Sequence, residues 1–371
     1  MLGVTPPDPA ALTLGVEEEF LLLDPRDGGN LPVAAEVTAA LPAGVRAQSR
    51  VEFRRSMLEL VTPVCTGLAG LRAELTRLRR AGRDAARTAG AWLVAVGATP
   101  VAEPDLGAPP GARFDTIRQR YGPVAHDPAV CGMHVHVGVP DRELAVQVVN
   151  HLRARLPVVQ ALTANSPLYR GADTGHASWR SMQLLRWPGM GPAPHFASAA
   201  EHDAAVAALL ESGMLVDDGM IFWYARLSAR YPTIEVRVGD VCATADDAVL
   251  AAALIRAAVA TAIADVRAGV PAHRPPSYLL AAAHWRAAHD GLGDALLDLR
   301  LGKPRPAWEL VDEFVDAVRP ALAAAGDLDD VRAGLDRLRR DGDGAARQRA
   351  ALRRTGDVRA MLAERARTTA D

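Results

Sequence analysis

Lysine is nearly missing from this 371-residue chain: Lys303, in "LGKPRPAW", is the only one, against an abundance of arginine. No Walker A lysine, kinase-type strand lysine or Schiff-base lysine therefore stands in a motif context, and no GxGxxG opens a helix after a strand. If the chain handles phosphate, it must use arginine and metal. Cysteine is scarce as well. Cys65, Cys131 and Cys242 are odd in number, far apart and without a CxxC pair, which argues against a disulfide framework or a structural zinc site and fits a reducing cytoplasm. Charge of one sign is not in excess either, since a net charge of -2 gives no bulk electrostatic case for nucleic acid or an anionic membrane. The opening "MLGVTPPDPAAL" has no basic n-region or apolar h-region, and no uninterrupted apolar run approaches a membrane span. These absences predict a cytoplasmic protein with small-molecule partners, no nucleic acid and no membrane; a homo-oligomer stays open.

What is present is a normal globular balance, 49% hydrophobic and 23% charged, enough for one large domain or two ordinary ones. Without an internal repeat or a long linker, residues 1–371 read as a single domain mixing strands and helices. Period-2 segments predict strands near 13–23, 51–62, 92–98, 131–139, 220–227 and 232–239. Alanine-rich amphipathic segments predict helices near 68–89, 141–163, 200–213, 245–268, 307–325 and 328–340. Pro- and Gly-rich stretches at 101–112, 188–194 and 271–276 read as surface loops. The Arg-rich tail "DGDGAARQRAALRRTGDVRAMLAERA" reads as helix with a solvated face.

The strand segments carry charge where a buried strand should not. In "LTLGVEEEFLLLDP", residues i and i+2 share a face, so Glu17 and Glu19 project together while Glu18 points the other way beside Val16 and Phe20. The same alternation aligns His134 with His136 in "CGMHVHVGVPD", and Glu235 with Arg237 in "PTIEVRVGD". Glu52 and Glu59 in "RVEFRRSMLELVTP" have opposite parity and need a bend between them to reach one site. Antiparallel strands with one solvated face would explain any single pair. They explain the set poorly, because a solvated face mixes Lys, Thr, Ser and Gln, whereas these pairs are Glu/Glu, His/His and Glu/Arg. Gathered carboxylates repel unless a cation neutralises them, and hard oxygen donors select Mg²⁺ or Mn²⁺ over zinc. An arginine two residues from such a glutamate suits phosphoryl transfer from ATP.

With "SMLELVTPVC", "NSPLYRGADTGHASWRS" and "ARYPTIEVRVGDVCAT", these motifs in this order resemble the type 2 glutamate-cysteine ligases, or carboxylate-amine ligases, over nearly the whole chain. The resemblance implies an α+β fold, a curved antiparallel sheet with helices on its outer face, like the glutamine synthetase catalytic domain. It implies ATP-dependent ligation through a γ-glutamyl phosphate, with cysteine as the amine and γ-glutamylcysteine as product. Carried onto this sequence, it makes Glu17, Glu19, Glu52, Glu59 and Glu235 metal ligands, His134 a neighbour of metal and phosphates, and Arg237 the γ-phosphate contact. Arg226 and Arg230 are either phosphate or carboxylate contacts or surface arginines; Arg180 is a candidate for holding the amino-acid substrate. His136 either joins the metal or hydrogen-bonds a ligand. Asn165, Asp173 and Trp179 are expected to border the substrate pocket. The cysteines are left out of the chemistry, because an acyl phosphate needs no thiol nucleophile. A guanidino phosphotransferase, a non-catalytic nucleotide- or metal-binding regulator and a zinc hydrolase remain as other readings.

Overall fold

The computed structural model describes residues 12–370; most of the N-terminal stretch inspected above for a leader lies outside the described residues. The strands are β1 (Leu14–Leu23), β2 (Ser49–Arg50), β3 (Met57–Val61), β4 (Trp92–Val94), β5 (Gly132–Gly138), β6 (Leu168–Tyr169), β7 (Ala172–Asp173), β8 (Ala225–Leu227), β9 (Thr233–Asp240), β10 (Ala295–Asp298) and β11 (Lys303–Pro306). Seven of them form one open antiparallel sheet in the order β2-β3-β1-β5-β9-β8, with β4 also paired to β1; β6-β7 and β10-β11 are separate hairpins. Helices follow in chain order: α1 (Ala34–Ala40), α2 (Ala43–Arg46), α3 (Leu68–Thr88), α4 (Ala112–Tyr121), α5 (Arg142–Leu152), α6 (Leu156–Leu162) and α7 (Trp179–Leu184). They continue with α8 (Ala199–Glu211), α9 (Ala245–Arg267), α10 (Ser277–Asp290), α11 (Ala307–Ala325), α12 (Leu328–Asp341), α13 (Gly344–Thr355) and α14 (Val358–Thr368).

One face of the sheet is apolar and helix-covered. Val16, Met133, Val135, Val137, Ile234, Val236 and Val238 join a core with Leu71 and Leu75 of α3 and the small residues of α9. The alternation of β1 is visible in its burial: Val16, Glu18 and Phe20 are buried, whereas Gly15, Glu17 and Glu19 are only half-buried on the other face. Helix α9 starts where Thr244 accepts the Asp247 amide at 3.2 Å, with Asp246 and Asp247 favourably placed in its first turn. Within α9, an 18-residue window with mean hydropathy 1.9 is long and apolar enough for a membrane span, yet 78% of it is buried inside the fold. The apolar-run criterion passed over this helix because Arg256 interrupts it; that arginine is buried and ion-paired to Asp327.

Other expectations need correcting. The strand expected over 51–62 begins only at Met57, because residues 51–56 turn away from the sheet. The helix expected over 141–163 breaks at 153–155 into α5 and α6, and the strand near 220–227 shrinks to β8. Helix α10 and the β10-β11 hairpin were not anticipated. The Arg-rich tail is docked rather than solvated along its length. Met361 and Leu362 are buried, Arg347 pairs with buried Asp247, and Arg349 Nε lies 2.8 Å from Asp173. Charges that looked destined for water meet carboxylates from distant elements.

The middle glutamate of the opening run is compensated on the helix side. Arg79 of α3, fully buried, donates through Nε to Glu18 Oε2 at 2.9 Å and through Nη2 to the other oxygen. The same guanidinium donates to the carbonyls of Thr369 (3.0 Å) and Cys242 (2.9 Å), so one side chain ties β1, the end of β9 and the C-terminal segment together.

Candidate functional site

The opposite face of the sheet forms the floor of a cleft of about 820 Å³. Glu17 and Glu19 rise from β1, His134 and His136 from β5, Glu235 and Arg237 from β9, and Glu59 from β3, all lining the cleft. Strand register makes this convergence: Glu17 lies opposite His134, Glu19 opposite Glu59, and His136 opposite Glu235. Directly opposed residues have Cβ atoms about 5 Å apart, so their side-chain ends meet. Glu52 enters from the turn before β3, the bend that its parity required, and Arg180 from α7. Aromatic rings of Phe53, Phe114, Trp187 and Phe222 wall one end.

The charges divide into two groups. In the first, His134 Nδ1 is 3.0 Å from Glu17 Oε2, and His136 Nε2 is 3.3 Å from Glu17 Oε1 without hydrogen-bond alignment. Glu17, His136 and Glu235 bring ligand atoms within 4.8 Å of one another. Burial alone would raise the Glu17 carboxyl, but the His134 hydrogen bond and the two neighbouring imidazoles hold it well below the usual range. Glu235 behaves alike: burial opposes ionisation, and Arg237 and Arg226 overcome it. Its oxygens accept from Arg226 Nε at 2.9 Å, Arg226 Nη2 at 3.2 Å and Arg237 Nη1. In the second group, burial and the neighbouring charge of Glu52 push Glu19 up, and the same two causes push Glu59 well up. Among the described residues no arginine stands within salt-bridge distance of Glu19, Glu52 or Glu59.

This donor set fits a divalent cation. Glu19, Glu52 and Glu59 gather without an arginine partner among the described residues, and His136 Nε2, buried and without an aligned partner, points toward Glu17 and Glu235. The oxygen-rich composition suits Mg²⁺ or Mn²⁺ better than zinc. Glu235 is the least available of the five glutamates, because two guanidinium groups already occupy much of its acceptor capacity.

The arginines sort differently from one another. Arg237 is tucked beside Glu235 with its guanidinium 5.6 Å from the Phe222 ring centroid. Arg226 is not a surface arginine; it is spent on Glu235 and the Ile221 carbonyl at 2.7 Å. Arg230 sits exposed at the rim. Arg180 is buried, reaching only the carbonyls of Val238 and Arg237 at 3.4 Å, with Nε unpartnered. Asn165, Asp173 and Trp179 do not line the cleft; of their loop only the Arg180 end does. Asn165 is buried behind it, and Asp173 pairs with Arg349. Two features escaped the sequence reading: the aromatic wall, whose members are scattered over 53–222, and Asp240. The latter carried a signal, since it extends the apolar Val236/Val238 face with a carboxylate.

The fold is that of known ligases. The chain superposes on a glutamate-cysteine ligase of Francisella tularensis, solved in complex with AMP, with TM-score 0.72 and 14% identity, over 97% of this chain and 88% of that one. A bifunctional glutathione synthetase of Pasteurella multocida gives TM-score 0.71 at 14% identity, covering 98% of this chain and 52% of the larger one. At the sequence level, the profile of Glutamate-cysteine ligase family 2 (GCS2) matches residues 13–364, and the chain belongs to that family of ligases. Relatives include a Salinispora tropica protein called "Putative glutamate--cysteine ligase 2", 61% identical over 98% of this chain and 97% of its own length. A Mycolicibacterium vanbaalenii relative of the same designation, numbered 2-2, is 48% identical over 96% of this chain and 98% of its own.

Proposed function

We propose that the chain is one ATP-dependent, cytoplasmic catalytic domain that joins the γ-carboxylate of glutamate to an amine, with cysteine as the first candidate. The carrying observation is the cluster of Glu19, Glu52 and Glu59, without an arginine partner, in one cleft with Arg237. A glutamate γ-carboxylate oxygen attacks the γ-phosphorus of ATP, the bond to the β-phosphate oxygen breaks, and ADP leaves. The amine nitrogen then attacks the acyl carbon, the carbon–oxygen bond to phosphate breaks, and the nitrogen loses a proton to give the amide.

Glu17, Glu19, Glu52 and Glu59 would hold Mg²⁺ or Mn²⁺, with Glu235 as a partly committed fifth, and the ions would supply charge neutralisation for the ATP phosphates. Arg237, kept in place by Glu235, faces the transferred phosphoryl group, where charge develops. His134 fixes Glu17, and His136 completes the same group. Arg226 orients Glu235 rather than contacting phosphate. Arg180 receives a substrate carboxylate through its free donors, and Arg230 at the rim meets phosphate or substrate on entry.

The test is phosphate release from Mg-ATP with glutamate, comparing cysteine with a panel of amines and a no-amine blank, products identified by mass spectrometry. γ-Glutamylcysteine is the expected product. A better amine would change the substrate and keep the chemistry, whereas no release with any amine would overturn the proposal. Glu19→Gln and Arg237→Ala are each expected to abolish turnover with folding intact; near-normal rates in either would remove the site assignment.

A further inference from the structure

Behind the cleft floor, Asp240 ends β9 almost fully buried, with its side-chain hydrogen bonds going to the segment that carries Arg180. Its Oδ2 accepts the Asn165 amide at 2.9 Å and the Ser166 hydroxyl at 2.7 Å; its Oδ1 accepts the Ser178 hydroxyl at 2.8 Å. Ser166 acts on Arg180 directly, and Ser178 acts through the helix that carries it. Ser166 Oγ accepts the Arg180 amide at 3.1 Å, and Ser178 caps the helix on which Arg180 is the second residue. The guanidinium completes the loop, with Nη1 3.8 Å from Asp240 Oδ1.

The backbone packs closely on both side chains. A Cβ on Gly97 would lie 2.7 Å from Asp240 Cγ, and a Cβ on Gly132 would overlap the Arg180 guanidinium. From the far side, buried Gln348 of the C-terminal α13 donates to Asn165 Oδ1 at 2.7 Å and to its carbonyl at 2.8 Å. Asn165 in turn donates to the Ala95 and Val241 carbonyls. Yet Arg180 keeps Nε without a partner and only long bonds to carbonyls, so its donors are held in place without being used up.

We propose that Asp240 is the positioning residue of Arg180, setting through Ser166, Ser178 and its own charge where the guanidinium meets the substrate carboxylate. The substrate half of this inference rests on the function proposed above; the positioning half does not. Asp240→Asn keeps the shape and most acceptors while removing the charge.

Two measurements on the full-length protein separate the halves. Crystal structures of wild type and Asp240→Asn are expected to show the Arg180 guanidinium displaced from the Val238 and Arg237 carbonyls; an unmoved guanidinium overturns the positioning role. In steady-state assays, Asp240→Asn is expected to raise KM for glutamate by roughly tenfold to a hundredfold, toward the low end of losing one partner of a buried charge pair because Asp240 reaches the substrate only through Arg180. Its KM for ATP should stay within about twofold, a split that general loosening of the fold would not produce. Arg180→Ala should raise the glutamate KM as well, and the double variant should add little to either single one. If Arg180→Ala leaves the glutamate KM unchanged, the carboxylate reading of Arg180 fails while the crystallographic result still decides positioning. If only Asp240→Asn leaves it unchanged, the positioning role fails. Should Asp240→Asn not fold, Ser178→Ala removes one link and is expected to give the same split at smaller size; an unchanged split there overturns the proposal.

Discussion

Replacing Arg79 with methionine removes the one cation that, among the described residues, pairs with a carboxylate buried in the middle of β1. Glu18 is 2% exposed and Arg79 is 0% exposed, so neither charge is relieved by water. Leaving a buried partner unpaired costs about 3–5 kcal/mol. The carbonyls of Thr369 and Cys242 also lose their donor, at about 1 kcal/mol each. Part of this is offset by the methionine's apolar burial, leaving about 3–5 kcal/mol. Against a total stability of about 5–15 kcal/mol, that is a loss large enough to bring the protein near unfolding. The assay is urea unfolding followed by circular dichroism, read as a lowered midpoint at unchanged slope. Pairing the change with Glu18→Leu removes the stranded charge, so the double variant should recover much of the loss. An Arg79→Met protein within about 1 kcal/mol of wild type, or a double variant worse than the single, would refute the claim that this pair compensates the middle glutamate.

Excess EDTA is expected to stop ATP turnover and added Mg²⁺ or Mn²⁺ to restore it; undiminished turnover in EDTA would remove the metal argument. His284, buried against Gln160 and the Tyr224 ring, is pushed down to about 3 by burial, so the native state refuses a proton that the unfolded chain accepts near pH 6.5. Stability from this group is complete above pH 6.5 and falls by up to about 1.4 kcal/mol per unit as pH drops toward 3. Comparing wild type with His284→Gln by urea melts at pH 7, 6 and 5 checks it, and equal slopes would refute it. The three cysteines are buried, and burial pushes the Cys131 and Cys242 thiols well up, so a disulfide-exchange reagent should label them slowly in native protein and rapidly in urea.

The charged strands were legible because a strand's period is 2 and the sheet is one residue thick. Once Glu17, His134 and Glu235 are placed in strands, their common face follows from parity, and antiparallel register brings them together. Glu52 and Glu59 needed a bend, and the turn at 51–56 supplies it. Strand lengths were less legible, because residues 51–56 and 220–224 carry apolar side chains that pack on the cleft rather than in the sheet. Phe53 and Phe222 line the aromatic wall, so their hydrophobicity reports the site and not a strand. The tail failed for the opposite reason. Its arginines look solvated until Asp173 and Asp247, more than 90 residues away, are known to face them.

The same difficulty explains why some charges beside the site could be sorted from sequence and others could not. Glu18 could be set aside by parity, but its partner Arg79 sits on a helix whose buried stripe is otherwise Leu68, Leu71, Leu75 and Leu78. From sequence, Arg226 was a candidate phosphate or carboxylate contact with a surface arginine as the alternative. Register places it opposite Glu235, and two arginines then share one carboxylate. That sharing has a consequence for the chemistry. With Arg226 already satisfying much of Glu235, Arg237 is held through Nη1 alone while its side chain lines the cleft. An arginine fully neutralised by its own carboxylate would have little left to offer a phosphate. Arg226 leaves Arg237 held in place and still cationic where phosphoryl charge would develop.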